Sequence, residues 1–237
     1  MSTDTGSTGS GPDSGDAPDV TAHTVAVLGG TGPQGRGLAG RFAAAGIPVV
    51  LGSREAARAA SVAADVQASW GGSVTGAANA DAARAADVVV VACPWDGHAD
   101  LLRDLADQLA GKVVVDCVNP LGFDKQGPYA LRVEEGSAAQ QAAELLPGST
   151  VTAAFHHLSA VLLEDTEVAS LDTDVLVLGD DRAATDLVRA LADAVPGLRG
   201  VYAGRLRNAG QVEALTANLI AVNRRYKAHA GVRVTDV

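Results

Sequence analysis

A glycine-rich segment between an apolar run and a helical pattern constrains the fold of this chain more than any other feature. The segment has the spacing G-x-G-x-x-G and comprises Gly30, Thr31, Gly32, Pro33, Gln34 and Gly35. A β-branched run precedes it at residues 24–28, and a helical pattern continues from it over residues 33–45. In that context the first glycine permits a tight turn, the second admits a pyrophosphate to the backbone, and the third lets the helix pack on the sheet. The segment therefore predicts a dinucleotide-binding loop.

Strand-like and helix-like patterns alternate along the rest of the chain. The runs at 88–92 and 113–116 are continuously apolar, which is typical of strands buried on both faces of a parallel sheet. Strands that alternate with helices indicate βαβ units. The sequence therefore predicts an α/β fold, with a Rossmann-type doubly wound parallel sheet over residues 23–150 and a small carboxy-terminal α/β domain over residues 151–237. The predicted strands are 24–28, 48–51, 74–77, 88–92, 113–116, 151–155, 175–178 and 200–202, and the predicted helices are 33–45, 55–68, 100–109, 138–146, 183–195 and 209–226.

The composition argues against several other classes of protein. Residues 1–22 are predicted to form a disordered tail, because residues 1–20 are almost all Ser, Thr, Gly, Asp or Pro and lack the basic start of a secretory signal. No run of about 18 apolar residues occurs, so we expect no membrane helix and a cytoplasmic protein. A net charge of −10 and 3% aromatic residues argue against nucleic-acid binding. Cys93 and Cys117 are interpreted as small buried residues.

The end of the second predicted strand selects between the two nicotinamide dinucleotides. An enzyme that prefers NAD needs a carboxylate there to accept a hydrogen bond from the ribose 2′-hydroxyl. This chain instead has Ser53 and Arg54, with Arg58 one helical turn further on. A hydroxyl and a guanidinium suit a 2′-phosphate, so the sequence predicts NADP. In the alternative interpretation, Arg54 and Arg58 form a solvated face and are paired with Glu55.

Two further strand ends supply candidates for the nicotinamide side of the site, because ligands bind outside the carboxyl ends of parallel strands. Pro94 and Trp95 follow the fourth strand and are predicted to wall the nicotinamide, with a buried structural tryptophan as the alternative. Asn119 and Pro120 follow the next strand, where Asn119 either holds the nicotinamide amide or caps a turn.

The sequence lacks the usual acid–base and metal motifs. It contains no Tyr-x-x-x-Lys pair, no Cys-x-x-Cys pair, no His-Glu-x-x-His motif and no serine-hydrolase elbow. The neighbouring His156 and His157 are expected to project apart on a strand, so no metal site is predicted. A hydride passed between two cofactors needs mainly alignment and electrostatics, which is consistent with these absences.

Together these segments resemble the NADPH-dependent reductases of the 8-hydroxy-5-deazaflavin coenzyme F420, also called F420:NADP oxidoreductases. The matching segments are 25–32, 52–54, 94–95, 154–156 and 212–216, and the resemblance covers roughly residues 24–226. The resemblance implies a Rossmann domain, a small carboxy-terminal domain and a homodimer. It also implies that Thr31, Ser53 and Arg54 bind NADP, and that a basic residue at the position of Arg58 touches the 2′-phosphate.

The resemblance further implies direct hydride transfer between NADPH and F420. The deazaflavin is expected in a cleft near His156, with its C5 against the nicotinamide C4. We predict that His156 is catalytic and stabilises the negative charge that develops at N1 and the C2 carbonyl of the deazaflavin. Arg205 and Arg207 are candidates for binding the phosphate of the coenzyme, with a dimer surface as the alternative. Two other functions stay open: an NADPH-dependent imine or carbonyl reductase acting on a small substrate, and a non-catalytic NADPH-binding regulator.

Overall fold

The computed structural model describes residues 18–237, which form an eight-stranded sheet and a separate two-stranded sheet. In chain order the strands are β1 (Val25–Leu28), β2 (Val49–Ser53), β3 (Val74–Ala78), β4 (Val88–Val91), β5 (Val113–Asp116), β6 (Leu121–Asp124), β7 (Gly127–Ala130), β8 (Thr150–Ala153), β9 (Thr173–Gly179) and β10 (Leu198–Gly204). The helices are α1 (Pro33–Ala44), α2 (Ala56–Trp70), α3 (Asn79–Ala85), α4 (His98–Asp104), α5 (Ala106–Leu109), α6 (Ala138–Leu145), α7 (Ala160–Glu164), α8 (Arg182–Asp193) and α9 (Ala209–Tyr226).

The large sheet has the strand order β3-β2-β1-β4-β5-β8-β9-β10. The strands from β3 to β8 run parallel, and β1 and β4 are buried along their whole length, as their continuous apolar runs predict. From β1 the chain moves outward to β3 and then returns to β4 on the other side of β1. This confirms the doubly wound arrangement, and the reversal point between β1 and β4 is where sheets of this kind bind ligands.

The last two strands, which the sequence analysis assigns to the small carboxy-terminal domain without a direction, introduce a reversal into the sheet. β9 lies antiparallel to β8, and β10 lies parallel to β9. The sequence analysis missed this reversal because the apolar content of a strand does not encode its direction. β8, β9 and β10 extend the same sheet that β1 begins, so the sheet is continuous across residue 150. The division of the chain into two domains at that residue stays a prediction.

Several local elements also differ from those predicted. Residues 1–17 of the predicted tail lie outside the described residues, but Val20–Ala22 forms a 3-10 turn in which Val20 is buried, so this end of the tail packs on the core. Residues 121–130, for which neither a strand nor a helix is predicted, form the β6–β7 hairpin. The helix predicted over 100–109 is divided between α4 and α5, which meet at Leu105.

The two faces of the sheet carry separate apolar layers, with α1, α2, α7 and α8 on one face and α3 to α6 and α9 on the other. Phe42 of α1 meets Phe155 edge to face, with 5.8 Å between the ring centroids, and both rings are fully buried. The guanidinium of the buried Arg41 donates hydrogen bonds to backbone carbonyl oxygens at Leu162, Leu163, Asp165 and Val168. These contacts attach the connection between β8 and β9 to α1. None of the helices within residues 18–237 is both long and apolar enough to cross a membrane.

Candidate functional site

A cleft of about 860 Å³ lies along the carboxyl ends of β1, β2 and β4, at the reversal point of the sheet. Ligand pockets commonly measure about 300–1,000 Å³, so the cleft is large enough for a dinucleotide. Its walls come from the glycine-rich loop, the end of β2, the start of α3 and the loop after β4. The predicted site residues that line it are Thr31, Gly32, Pro33, Gln34, Ser53, Arg54, Arg58 and Pro94.

Close contacts explain two of the three motif glycines. A Cβ on Gly30 would lie 2.5 Å from the carbonyl oxygen of Val27, and a Cβ on Gly35 would lie 2.5 Å from the Cα of Gly30. The two glycines therefore allow the first turn of α1 to rest directly on the end of β1. The glycine with a left-handed backbone conformation is Gly29, with a φ of 68°, one residue before the predicted Gly30.

The remaining motif glycine, Gly32, leaves the backbone open to the cleft. A Cβ on Gly32 would have its nearest neighbour 4.0 Å away, so a side chain there would extend into free space. Gly32 is also the N-cap of α1, and no side chain caps the free N–H groups of the first turn, which begins at Pro33. Free N–H groups and the positive end of the helix dipole favour a phosphate at this point. The residues present therefore fit the pyrophosphate of a dinucleotide.

Ser53, Arg54 and Arg58 line the cleft at the end of β2. Ser53 is buried, and its hydroxyl accepts a hydrogen bond from the backbone N–H of Glu55. Arg54 and Arg58 are exposed, and within residues 18–237 neither side chain forms an ion pair or a hydrogen bond. This argues against the alternative that they are paired with Glu55. Two guanidinium groups are thus available for the planar, charge-assisted recognition that a 2′-phosphate requires.

Asn79 is a residue of the cleft that the sequence analysis missed. It begins α3, directly after β3, and its Oδ1 lies 3.5 Å from the backbone N of Gly29. A Cβ on Gly52 would lie 2.7 Å from the same oxygen, which explains why a glycine precedes Ser53. The available signal was an asparagine following a predicted strand, because asparagine is favoured where helices begin.

An acidic wall of the cleft was also missed. Asp96, in the 3-10 turn before α4, and Asp100 and Asp104, on α4, line the cleft at intervals of four residues. Residues at this spacing lie on one face of a helix. Their charge repels phosphates, so it favours a dinucleotide whose phosphates lie towards the glycine-rich loop and the arginines.

The loop after β4 separates the predicted pair Pro94 and Trp95. Pro94 lines the cleft, whereas the indole of Trp95 stacks on the imidazole of His98, with 5.4 Å between the ring centroids. Trp95 is half-buried and is not among the residues that line the described cleft.

Of the two cysteines, Cys93 lines the cleft and is half-buried, whereas Cys117 is buried. Burial, with a contribution from the charge of Asp116, raises the pKa of the Cys93 thiol to about 12, so this thiol stays protonated.

Three side chains from distant parts of the chain hold the segment that follows β8. Gln34 Nε2 donates a hydrogen bond to the carbonyl oxygen of Phe155 at 3.0 Å. Asn119 Nδ2 and Thr216 Oγ1 donate to the carbonyl oxygen of His156 at 2.8 and 3.2 Å. Phe155 has a φ of 65°, which is strained for a bulky residue. The hydrogen bonds therefore hold a strained turn beside the glycine-rich loop.

The ring of His156 is buried, with 2% of the residue exposed, and neither ring nitrogen has a hydrogen-bond partner within residues 18–237. Burial lowers the pKa of His156 to about 4, so the imidazole is neutral at pH 7. His156, Asn119 and Pro120 lie outside the lining of the described cleft, and their predicted contacts with cofactors stay predictions.

His157 does not lie on a strand as expected; it follows β8, and its Nε2 accepts a hydrogen bond from the N–H of Leu176.

Some of the basic residues near the carboxy terminus form ion pairs within the chain. Because β10 runs antiparallel to β8, its carboxyl end and the adjoining Arg205 lie towards the edge of the sheet opposite the cleft. Arg205 forms an exposed ion pair with Asp180 there, and Arg207 is exposed two residues further on. Arg233 pairs with the buried carboxylate of Asp174. This placement does not support the predicted role of Arg205 in binding the phosphate of a second cofactor.

The chain is similar over nearly its whole length to characterised reductases. A family profile described as NADP oxidoreductase, coenzyme F420-dependent, matches residues 24–120. The chain is 41% identical over 227 residues to the F420-dependent NADP reductase of Methanothermobacter thermautotrophicus, which covers 92% of this chain and 97% of the relative. It is 34% identical over 221 residues to the F420-dependent NADP reductase of Methanocaldococcus jannaschii, covering 90% of this chain and 98% of the relative.

Solved structures give the same result for the fold. The crystal structure of a protein from an Arthrobacter species, assigned as an F420-dependent NADP reductase, has a TM-score of 0.74 and 28% identity. It covers 89% of this chain and 98% of that one. An imine reductase from Bacillus cereus has a TM-score of 0.61 at 17% identity, and it covers 86% of this chain and 63% of that one, so this likeness concerns the fold alone.

Replacing the first arginine after β2 tests the selection of the dinucleotide. We expect Arg54→Ala to raise the Kd of NADPH at least about tenfold, because a hydrogen bond to a charged group contributes about 1.5–3 kcal/mol. The Kd of NADH, which lacks the 2′-phosphate, should change by less than about twofold. Fluorescence titration measures both constants. The matched control is Arg84→Ala, since Arg84 is an exposed arginine paired with Asp81 outside the cleft. An equal loss for NADH and NADPH would contradict the assignment of Arg54.

Proposed function

Because this chain belongs to the family of F420-dependent NADP reductases, we propose that it transfers a hydride between NADPH and coenzyme F420. The chain is an oxidoreductase, and NADP and F420 are the two cofactors that it uses. The near-complete coverage of the relatives matters here, because a Rossmann fold alone is shared by enzymes of many activities.

The observation that carries the proposal within the structure is the pair of guanidinium groups at the end of β2. Arg54 and Arg58 extend into the cleft at the end where the adenosine of a dinucleotide is bound in sheets of this kind. A carboxylate at the tip of β2 would have repelled a 2′-phosphate, and here Ser53 takes that place. The opposite charge of the aspartate wall on α4 supports the same orientation of the dinucleotide.

The site geometry supports a position for the nicotinamide on the β4 side of the cleft. With the pyrophosphate at the start of α1 and the 2′-phosphate at Arg54, the remaining end of the dinucleotide extends past β1 towards β4. Cys93 and Pro94 line that end. Their backbone and small side chains leave room for a flat ring, and the segment after β8 lies on the same edge of the sheet.

The reaction consumes NADPH, a proton and oxidised F420 and yields NADP⁺ and reduced F420, with the hydride moving from the nicotinamide C4 to the deazaflavin C5. Negative charge develops at N1 and the C2 carbonyl of the deazaflavin as the hydride arrives, and a fixed hydrogen-bond donor stabilises it. His156 suits this role because its neutral ring carries one N–H and, in the part of the chain that the structure describes, its buried ring nitrogens have no hydrogen-bond partner. A hydrogen bond in such a low-dielectric position is stronger than one in water.

A homodimer is proposed through α9 and the β6–β7 hairpin of two copies. Among the residues of α9, the buried ones are Ala209, Val212 and Glu213, all in its first half. Apolar side chains nevertheless continue along the helix, and β7 packs beside it. The large exposed apolar residues of this surface are Phe123, Tyr129, Val222 and Tyr226. Large apolar side chains exposed together on two packed elements favour a protein–protein contact there.

A cytoplasmic location is proposed on chemical grounds. Cys93 and Cys117 are both free thiols, and unpaired cysteines are typical of reducing compartments. One of the two thiols lines the cofactor cleft, where oxidation would place a charged or bulky group against the nicotinamide end.

The activity is tested directly by mixing the protein, NADPH and oxidised F420 and following the absorbance band at 420 nm from which the coenzyme takes its name. We expect the band to disappear at catalytic concentrations of protein, and to return when NADP⁺ is added to the reduced coenzyme. Arg54→Ala should slow the reaction at low NADPH and recover most of the rate at saturating NADPH, because the residue contributes to binding rather than to the hydride step.

The two alternative functions give different results in the same experiment. Oxidation of NADPH by small cyclic imines or ketones without loss of the 420 nm band would indicate an imine or carbonyl reductase. Tight binding of NADPH with no oxidation by either class of acceptor would indicate a regulator. Either result contradicts the proposed function.

A conservative substitution tests the proposed role of His156. We expect His156→Phe to lower the rate of hydride transfer by about 10²–10³-fold, the usual loss when a donor to a developing oxyanion is removed. The Kd of NADPH should stay within about twofold of the wild-type value, which fluorescence titration measures. His156→Asn restores one N–H donor and should recover part of the rate. The control is His229→Phe, because His229 is exposed and lies outside the cleft. Full activity of His156→Phe would contradict the role.

The proposed dimer is tested by placing charge on the exposed end of α9. We expect the wild-type protein to sediment at twice the chain mass of 23.8 kDa, and the double variant Val222→Asp, Tyr226→Asp to sediment as a monomer, because two carboxylates per copy would be buried without partners. Analytical ultracentrifugation measures the mass. The control is Tyr202→Asp on β10, which is exposed outside this surface. A monomeric wild-type protein would contradict the dimer.

A further inference from the structure

A fully buried ion pair lies behind the part of the cleft that faces the nicotinamide end of the dinucleotide. His98, the first residue of α4, and Asp116, the last residue of β5, both have completely buried side chains. His98 Nε2 and Asp116 Oδ2 are 2.6 Å apart. Neither residue lines the described cleft, and neither has a role in the activity derived above.

The pair holds the loop after β4, residues 92–97, which we call the β4 wall. Its members Ala92, Cys93, Pro94, Asp96 and Gly97 line the cleft. The remaining member, Trp95, turns away from the cleft and stacks on the ring of His98 at an interplanar angle of 30°. Through this stacking contact, the imidazole of His98 supports the β4 wall on the side away from the cleft.

The imidazole itself is fixed from both sides. Its Nδ1 lies 2.9 Å from Gln141 Oε1 on α6, while Gln141 Nε2 donates to Glu135 Oε1, which sets the orientation of the amide. The other carboxylate oxygen of Asp116 accepts a hydrogen bond from the N–H of Val118. With an acceptor at each ring nitrogen, the geometry matches an imidazolium that donates two hydrogen bonds.

The charges around the pair agree with this geometry. Burial by itself lowers the pKa of His98, but the hydrogen bond and charge of Asp116 outweigh it, so the pKa lies above its usual value. The hydrogen bond with Gln141 and the charge of Glu213, a buried residue of α9, act in the same direction. Glu213 accepts hydrogen bonds from the N–H groups of Ala138 and Ala139, which fixes the start of the helix that carries Gln141.

A buried ion pair is a costly way to stabilise a fold, because an apolar pair of the same volume is often equally or more stable. The pair instead fixes an orientation. The two hydrogen bonds of His98 hold the plane of its ring, which apolar packing alone would leave free to rotate. We infer that the His98–Asp116 pair positions the β4 wall for hydride transfer, by fixing the ring on which Trp95 and its neighbours rest. The inference rests on the proposed function and adds a positioning role for two residues outside the cleft.

His98→Phe removes both hydrogen bonds and keeps an aromatic ring beneath Trp95. We expect the single-turnover rate of loss of the 420 nm band, at saturating NADPH, to fall about 10- to 100-fold, because a misplacement of about 1 Å costs rates of this order. The Kd of NADPH should stay within about threefold. The isotope effect with NADPH deuterated at the transferred position should rise in steady-state turnover, because the hydride step becomes rate-limiting. His98→Gln, which keeps a donor towards Asp116, should recover most of the rate.

A second measurement does not depend on F420. In a Trp70→Phe background, Trp95 is the only tryptophan of the chain, since the sequence contains two. We expect the decay of its fluorescence anisotropy to show faster local motion in His98→Phe than in the parent protein. Asp116→Asn serves as the second variant if His98→Phe does not fold, and it should shift both readouts in the same direction.

Asp174→Asn is the matched control for a general loss of stability. Asp174 is also a completely buried carboxylate in an ion pair, with Arg199, but it lies on β9 outside the cleft. The variant Asp174→Asn should lower the melting temperature without changing the rate of hydride transfer or the motion of Trp95. An unchanged rate in His98→Phe, an unchanged anisotropy decay, or an equal loss of rate in Asp174→Asn would overturn the positioning role. A wild-type protein that never reduces F420 refutes the proposed function instead, and the anisotropy measurement then decides the role of the pair in holding the β4 wall.

Discussion

The contact between the first turn of α1 and the end of β1 is the constraint on which the rest of the structure depends. Gly35 rests so closely against the backbone of Gly30 that it admits no Cβ, and a Cβ on Gly30 would meet the carbonyl oxygen of Val27 on β1. The position of α1 in turn places Phe42 against Phe155 and Arg41 against the connection that contains α7. The two glycines thus bring together the phosphate-binding backbone and, through α1, the segment that carries His156. Loss of that contact would change the spacing of both halves of the site at once.

Buried and half-buried polar side chains at the carboxyl edge of the sheet connect the elements around the cleft. Gln34 links the glycine-rich loop to Phe155, and Asn119 links the loop after β5 to His156. His98 and Asp116 link the β4 wall to β5 in the same way. Each of these bonds costs desolvation and is worth little as net stability, but each sets an orientation that apolar contacts would leave open. Hydride transfer between two flat rings needs orientation of this kind.

The sequence predicts the position of a residue when a short segment around it determines that position. It does not predict a position that depends on contacts with segments far away in the chain. The glycine motif, the position of Ser53 and Arg54 in the cleft, and the doubly wound order of strands follow from short segments whose spacing has a physical meaning. The roles of Trp95 and Asn119 depend on which element each side chain meets, so the sequence left two alternatives for each. Asn79 gave only the weak signal of an asparagine after a predicted strand, and His98 gave none beyond its residue type, because their partners lie on distant segments of the chain.

The reversal of direction between β8 and β9 has a consequence for where the second substrate can approach. A parallel neighbour would require the chain to cross the whole height of the sheet, and the connection would lie on one face as a helix. An antiparallel neighbour lets residues 154–172 begin and end at the same edge, beside the nicotinamide end of the cleft. The chain thereby gains a rim, which contains the short helix α7, at the end of β8, and β5 separates β8 from the β4 side of the cleft. The antiparallel strand therefore keeps the segment that carries His156, which is proposed to contact the deazaflavin, at the cleft edge of the sheet.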